Sequence, residues 1–354
     1  MTKILEGPIH SVSEPRFNTR TANGARAEAL YAASRLPAYQ PSGLPHGVIH
    51  TANDSLFNQT HYSEPMTNYA VGWADEEGYD ELTEFMAPSF PAPGELFEHL
   101  QFDNAEEFLS DGANDDLRAI NASFATVDYT QSMVTRKVGN RGLRVELDWD
   151  RIKTDPIWQQ RWTGRLLRRL KRNQARRAAA LLLATGTSNA RTWKSDGTGT
   201  QPDIDLNAQR ILAQNNSGIK PNRILFGDTA WQYRLANYGA SASLSAAAGL
   251  SRTPEQVGAL LGMEVRLDTA RYQNGASKSE IIGANVALFN GLPGVDADDP
   301  TNLKIAWVTC QNGMRYAVYV RQISVKKWEI VVEHYEALFA ATVLGVYILP
   351  IAQS

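Results

Sequence analysis

Cysteine is nearly absent: Cys310 stands alone among 354 residues. No intrachain disulfide can form, so packing rather than covalent staples must hold the fold, as suits a reducing compartment. Long apolar runs are also missing. The longest mostly apolar stretch, Ala337–Leu349, is too short to span a bilayer and reads as one buried element. The opening residues, MTKILEGPIHSVSEPRF, hold no apolar core of the length a secretory signal needs.

Signatures of catalysis are missing too. The chain has no G-x-x-x-x-G-K phosphate loop, no G-x-G-x-x-G after a strand, no G-x-S-x-G elbow and no H-E-x-x-H. Its six histidines, His10, His46, His50, His61, His99 and His334, are scattered. His46 and His50 have the spacing of two ligands on one helical turn, but Pro45 and Gly47 argue for a loop. Asp296-Ala297-Asp298-Asp299 resembles a calcium loop at its start. Thr301 and Trp307 stand where that loop needs glycine and glutamate, so a solvated turn is expected. Glu333-His334-Tyr335-Glu336 reads as a solvated strand edge, with Glu333 and Tyr335 on one face and His334 on the other. Cys310 reads as a small core residue, since no His–Asp pattern accompanies it. The expectation is a chain with no catalytic residues, no cofactor and no metal.

What is present is segregated charge. The net charge is only −3, which excludes a uniformly basic nucleic-acid binder. Yet 14 acidic residues and no lysine or arginine lie between Tyr69 and Leu117, while Arg161–Arg177 holds eight basic residues and no acidic one. A chain polarised in this way can meet copies of itself, acidic segment to basic segment; the plainer alternative is two solvated faces that never touch.

Residues 1–78 are rich in Ser, Thr, Asn, Pro and Gly, and only Ala25–Ala33 looks helical, so an extended arm is expected. Asp80–Met86 suits a short helix that Ala87–Gly94, with three prolines, cannot continue. Phe124–Asp128 and Leu143–Trp149 alternate as strands about a turn at Gly139–Gly142, suggesting a projecting hairpin. The clearest helix spans 156–184, with Asp155 as cap, Pro156 at its first position and Gly186 as its stop. At about 100° per residue, Arg161, Arg165, Arg168, Arg169, Arg172 and Arg176 share one arc, while Trp162, Leu166, Leu167, Leu170 and Leu181 share another. Gly164 suits a close backbone approach, and Trp158 with Trp162 suit either a core or a subunit contact.

Residues 187–201 read as a loop. An α/β region follows: a helix over Asp203–Ala213 capped by Asp203 or Asp205, a strand at Arg223–Phe226, and a helix capped by Asp228. A capping box at Thr253-Pro254-Glu255-Gln256 starts another helix, and strands follow at Met263–Leu267, Ile281–Ile282 and Asn285–Phe289. After an acidic loop, Leu303–Val308, Met314–Val320 and Ser324–Val332 alternate as strands.

This order of parts resembles the Hong Kong 97-type fold of tailed-phage major capsid proteins. The likeness is carried by Phe85–Pro93, Ser123–Tyr129 (SFATVDY), Gly142–Asp148 (GLRVELD), Arg176–Leu183 (RRAAALLL), Pro221–Phe226 (PNRILF) with Trp231, and Ala340–Pro350. It covers about residues 79–354 and rests on order and texture rather than on a sharp motif. It implies an α+β fold with an N-terminal arm at 1–78 and a first part of a peripheral domain at 79–189. That part carries an extended β-hairpin loop at about 98–137 and a spine helix at about 156–184. An axial α/β domain at 190–300 and returning strands at 301–354 complete it. The implied function is a major capsid protein whose hexamers and pentamers tile an icosahedral shell around double-stranded DNA, in a virion assembled in the host bacterial cytoplasm. Implied partners are further copies, portal and scaffold proteins, a decoration protein and DNA contacted without sequence preference; no membrane is implied.

On this reading Glu106, Glu107, Asp111, Asp115 and Asp116 of one copy's loop face the arginine strip of a neighbour. Arginine suits the role because its fork holds a carboxylate through two hydrogen bonds. Neutralising packaged DNA is another task open to the strip. An encapsulin-type compartment is the alternative with the same fold, and a soluble small-molecule enzyme is the alternative of another class; the latter needs a convergent titratable site that the sequence does not supply.

Overall fold

A computed structural model describes residues 61–102, 117–118, 123, 131–241, 243–292, 300–310 and 313–354. Its helices are α1 (Glu64–Val71), α2 (Tyr79–Met86), α3 (Trp149–Ile152), α4 (Trp158–Thr185), α5 (Pro202–Ser217), α6 (Asp228–Ala240), α7 (Leu244–Leu250) and α8 (Pro254–Leu261). The helix expected at 25–33 and the strand expected at 124–128 lie outside the described residues.

Two sheets organise the rest. In the first, the long strand β14 (Lys327–Ala340) is central. It pairs antiparallel with β4 (Gly139–Asp148) on one side and with β12 (Leu303–Val308) and β13 (Tyr316–Ser324) on the other; β1 (Ser89–Pro91) joins β12 in parallel. In the second, β15 (Tyr347–Gln353) pairs with β5 (Thr187–Ser188) and β6 (Arg191–Trp193) in parallel and with β11 (Asn285–Phe289) antiparallel. Next come β7 (Arg223–Gly227) and, parallel to it, β8 (Glu264–Asp268). Two ribbons stand apart: β2 (Leu96–Phe102) with β3 (Gln131–Lys137), and β9 (Arg271–Asn274) with β10 (Ser277–Glu280).

Helix α4 ties the two sheets together. Its first half buries Leu166, Leu167 and Leu170 on the first sheet, against Leu147, Tyr316, Val318, Ile330 and Val332. Its second half buries Ala175, Ala178, Ala179 and Leu182 beside Phe85 and Met86 of α2 and Leu225, Phe289 and Ile348 of the second sheet. Fully burying a leucine such as Leu182 contributes about 1.5–3 kcal/mol. The helix stops where a side chain can no longer fit: a Cβ on Gly186 would sit 2.5 Å from Ile348 Cγ1.

Several expectations need correction. α4 begins at Trp158 with Ile157 as its cap; Asp155 instead accepts the Ile157 N–H at 3.2 Å and pairs with Arg161 at 2.6 Å. Gly164 receives side chains rather than a backbone, since its Cβ would lie 3.3 Å from the Tyr69 hydroxyl and 3.4 Å from Trp73 Nε1. Residues 61–71 are not part of a free arm: Ser63 N–H donates to Val318 O at 2.9 Å, and α1 adds Met66 and Ala70 to the core. Gly139–Gly142 is strand, not turn, and the hairpin ribbon is built from β2 and β3. Residues 187–193 supply two short strands to the second sheet. Ile281–Ile282 lies outside any strand. The apolar run Ala337–Leu349 is divided between β14 and β15, in different sheets. The stop at Gly186, the capping box at Thr253 and the strands at 223–226, 285–289 and 303–308 are found as expected.

Candidate assembly surface

The arginines of α4 do share a face, and the structure shows what each one meets. Arg172 grips Glu77 with hydrogen bonds from Nε at 3.0 Å and from Nη2 at 2.8 and 2.6 Å; Arg168 Nε lies 3.4 Å from the same carboxylate. Hydrogen bonding to Glu77 raises the Arg172 pKa further. Arg161 holds Asp155. Arg165 stacks on the Trp162 ring at 4.4 Å, and Arg176 on Tyr272 of β9 at 3.8 Å. Arg169 is exposed. Part of the strip is therefore neutralised within the chain, because the acidic segment that begins at Asp75 folds back onto α4. Glu106, Glu107, Asp111, Asp115 and Asp116 lie outside the described residues. Trp158 and Trp162 pack on the first sheet, with Trp158 and Trp328 ring centroids 5.6 Å apart.

Beneath the arginine face are polar groups whose role the sequence hid. Glu336 on β14 is 2% exposed. It accepts from Gln174 Nε2 at 2.7 Å and from Arg177, both on α4, and pairs with Arg141 of β4 at 3.1 Å and His334 Nε2 at 3.4 Å. Burial alone would raise its pKa, but the His334 hydrogen bond and the Arg177 charge outweigh that and hold it at about 2. The expected solvated edge is thus a buried central strand; Glu333 and Tyr335, half-buried, do share the opposite face. The signal available was a glutamate two residues from a histidine on one strand face, but its partners lie 159 and 162 residues away.

A second node sits beside the second sheet. Arg234, fully buried, donates from Nε and Nη2 to Asp203 at 2.8 and 3.0 Å and from Nη2 to Gly249 O at 3.0 Å; Arg252 reaches Asp203 at 2.9 Å. Asp205 meets Arg191 at 3.1 Å and accepts from Trp193 Nε1 at 3.2 Å. These two acids, expected as caps of α5, instead fasten it to its neighbours. Asp228, likewise expected as a cap, lies in the first turn of α6 and pairs with Arg271 at 2.6 Å.

Among the described residues no cluster of three or more His, Cys, Asp or Glu side chains could hold a metal, and no helix is long and apolar enough to cross a membrane. The Cys310 thiol is pushed up to about 12 by burial and then by the Glu333 carboxylate, which keeps it in the protonated, poorly nucleophilic form at neutral pH. Two surface clefts among the described residues are lined by ion-paired side chains such as Arg172–Glu77 and Arg266–Glu81.

No family model and no curated protein matches the sequence. Solved structures do. A phage-related protein from Bordetella bronchiseptica superposes on 81% of this chain and 96% of its own, with a TM-score of 0.59 at 15% identity. The capsid of cyanophage P-SCSP1u matches 77% of this chain and 88% of its own (TM-score 0.48, 8% identity), and a virus-like particle from Pyrococcus furiosus 81% and 98% (TM-score 0.45, 11% identity). The chain has the α+β fold of the Hong Kong 97-like type that its sequence led us to expect.

Proposed function

We propose that this chain is the major capsid protein of a tailed bacteriophage, a subunit that assembles with its own copies into the hexamers and pentamers of an icosahedral shell around double-stranded DNA. The observation that carries the reading is the fold: a long helix laid across one sheet and into a second, shared over most of both chains with a phage-related protein. Shell closure follows from symmetric contacts between identical subunits. In this scheme residues 190–300 gather at the local symmetry axis and the loop at about 98–137 lies over a neighbour. Portal, scaffold and decoration proteins are the further partners, with assembly in the host cytoplasm.

Charge sets the register between copies. Arg168 and Arg172 already hold Glu77, so Arg165 and Arg169 are the members of the strip best placed to meet the loop acids Glu106, Glu107, Asp111, Asp115 and Asp116 of a neighbour. Each exposed pair contributes only ~0–1 kcal/mol, so buried apolar area carries most of the affinity and charge sets orientation. The test is expression of the chain and of the R165E/R169E variant, with particles counted by electron microscopy. Wild type should give closed shells tens of nanometres across, and the variant markedly fewer, most of all at low salt. A monodisperse monomer in every buffer refutes the shell; a variant that assembles like wild type refutes the pairing. Shells that enclose enzymes and no DNA in the native host would point to a cargo compartment instead.

A further inference from the structure

Strand β4 has one edge in use and, among the described residues, no partner strand on the other. Its ten residues pair with β14 from Asp148 opposite Lys327 to Gly139 opposite Glu336. An open edge of this length, roughly 33 Å at about 3.3 Å per residue, presents a row of backbone donors and acceptors to any matching strand. The strand is exposed over Gly139–Gly142 and at Arg144, Glu146 and Asp148. Proline and lysine, which commonly blunt such edges, do not occur in it.

The side chains favour one occupant. Leu143, Val145 and Leu147 face the core under α4. Arg144 and Glu146 lie on the other face, 64% and 48% exposed. If a second β4 runs antiparallel to the first about a twofold axis through Val145, Arg144 of each copy stands opposite Glu146 of the other. Val145 then meets Val145, and Leu143 meets Leu147. Moving the axis to residue 144 sets arginine against arginine, and moving it to residue 146 sets glutamate against glutamate. A slip of one residue in the pairing sets charge against the apolar face. The register through residue 146 also sets Arg144 opposite Asp148, but only the Val145 register combines two opposite-charge pairs and apolar pairs with no like charges opposed. We propose that the free edge of β4 is an interface between two copies of this chain, paired antiparallel across a twofold axis through Val145. The two five-stranded sheets then become one of ten.

The inference deepens the shell reading, from which it takes the identity of the partner; twofold contacts of this isologous kind recur throughout an icosahedral particle. The test is V145C in the full chain, in a C310A background so that only residue 145 can link. Opposed Cα atoms in an antiparallel pair lie about 4.5–5.5 Å apart, within disulfide reach. Purified particles oxidised with diamide should run as covalent dimers on a non-reducing gel, and C310A alone as monomers. In a second arm, E146R places arginines opposite one another and should lower particle yield about tenfold, while R144E/E146R should return it to within about threefold of wild type. Position 146 stands directly opposite Glu329, so the guanidinium that the double variant carries there also replaces the Arg144–Glu329 contact within the chain. Shells that form with V145C unlinked, or a double variant no better than E146R, overturn the edge pairing and leave the shell reading intact. A wild-type chain that makes no shell yet links through V145C supports the edge and overturns the shell. A monomer that neither assembles nor links overturns both.

Discussion

Glu336 should set the acid limit of this fold. The carboxylate is held at about 2, against 4.5 for an ordinary glutamate. A carboxyl whose folded pKa is depressed adds stability above its unfolded pKa, and that stability is lost as pH falls toward the folded one. The window is therefore pH 4.5 down to about 2. A difference of roughly 2.5 units at 1.36 kcal/mol per unit gives about 3 kcal/mol of stability at neutral pH that acid removes. Burial pulls Arg177 the other way and lowers its pKa, but a guanidinium stays charged throughout this range. The perturbation is E336Q. It keeps the shape, removes the charge, and leaves Arg177 and Arg141 facing a neutral amide beneath α4. Breaking a buried pair from one side costs roughly 3–5 kcal/mol. Urea unfolding of unassembled subunits, followed by tryptophan fluorescence between pH 7 and pH 2.5, measures both terms. E336Q should be less stable by that amount at pH 7, and the gap should close toward the acid end. A loss below about 1 kcal/mol at pH 7, or a gap that stays constant with pH, refutes the reasoning.

Two further outcomes follow from the other buried groups. R234A should lower the urea midpoint by an amount equivalent to roughly 3–5 kcal/mol, because Asp203 then keeps only the partly exposed Arg252; unchanged unfolding would show that the node is dispensable. Cys310 should resist a thiol reagent at pH 8 in the folded protein and react at once in urea, since its pKa is near 12 only while buried; rapid labelling of the native chain would contradict the burial.

The parts legible in the sequence are those whose signal is local. The 28-residue helix α4 announced itself through period and its terminal glycine, and the capping box at Thr253 through four consecutive residues. What escaped was pairing between distant segments. Glu333–Glu336 looks like a wet edge because its composition is polar; it becomes a centre only when Gln174 and Arg177 of α4 and Arg141 of β4 arrive to satisfy it. Thr187–Trp193 looks like a loop because neither strand there exceeds three residues, and only β15 gives them a ladder. The arginine strip was legible as a face, but its acids were assigned to another copy when Glu77 of the same chain already reached two of the six. Proximity in space, not residue type, separated these cases.

The order in which the strands are synthesised has a consequence for when the folded chain becomes available. β14 and β15, each an interior strand of its sheet, follow in the chain every strand they join. A ribosome that has translated as far as Val320 carries two incomplete frameworks, each with a gap where its spine will go. Such non-local closure is slow, and it keeps nascent chains from offering a finished surface to one another. If the chain builds a shell as proposed, growth draws only on chains that have passed this last step, and a prematurely terminated product is excluded for want of its keystone strands.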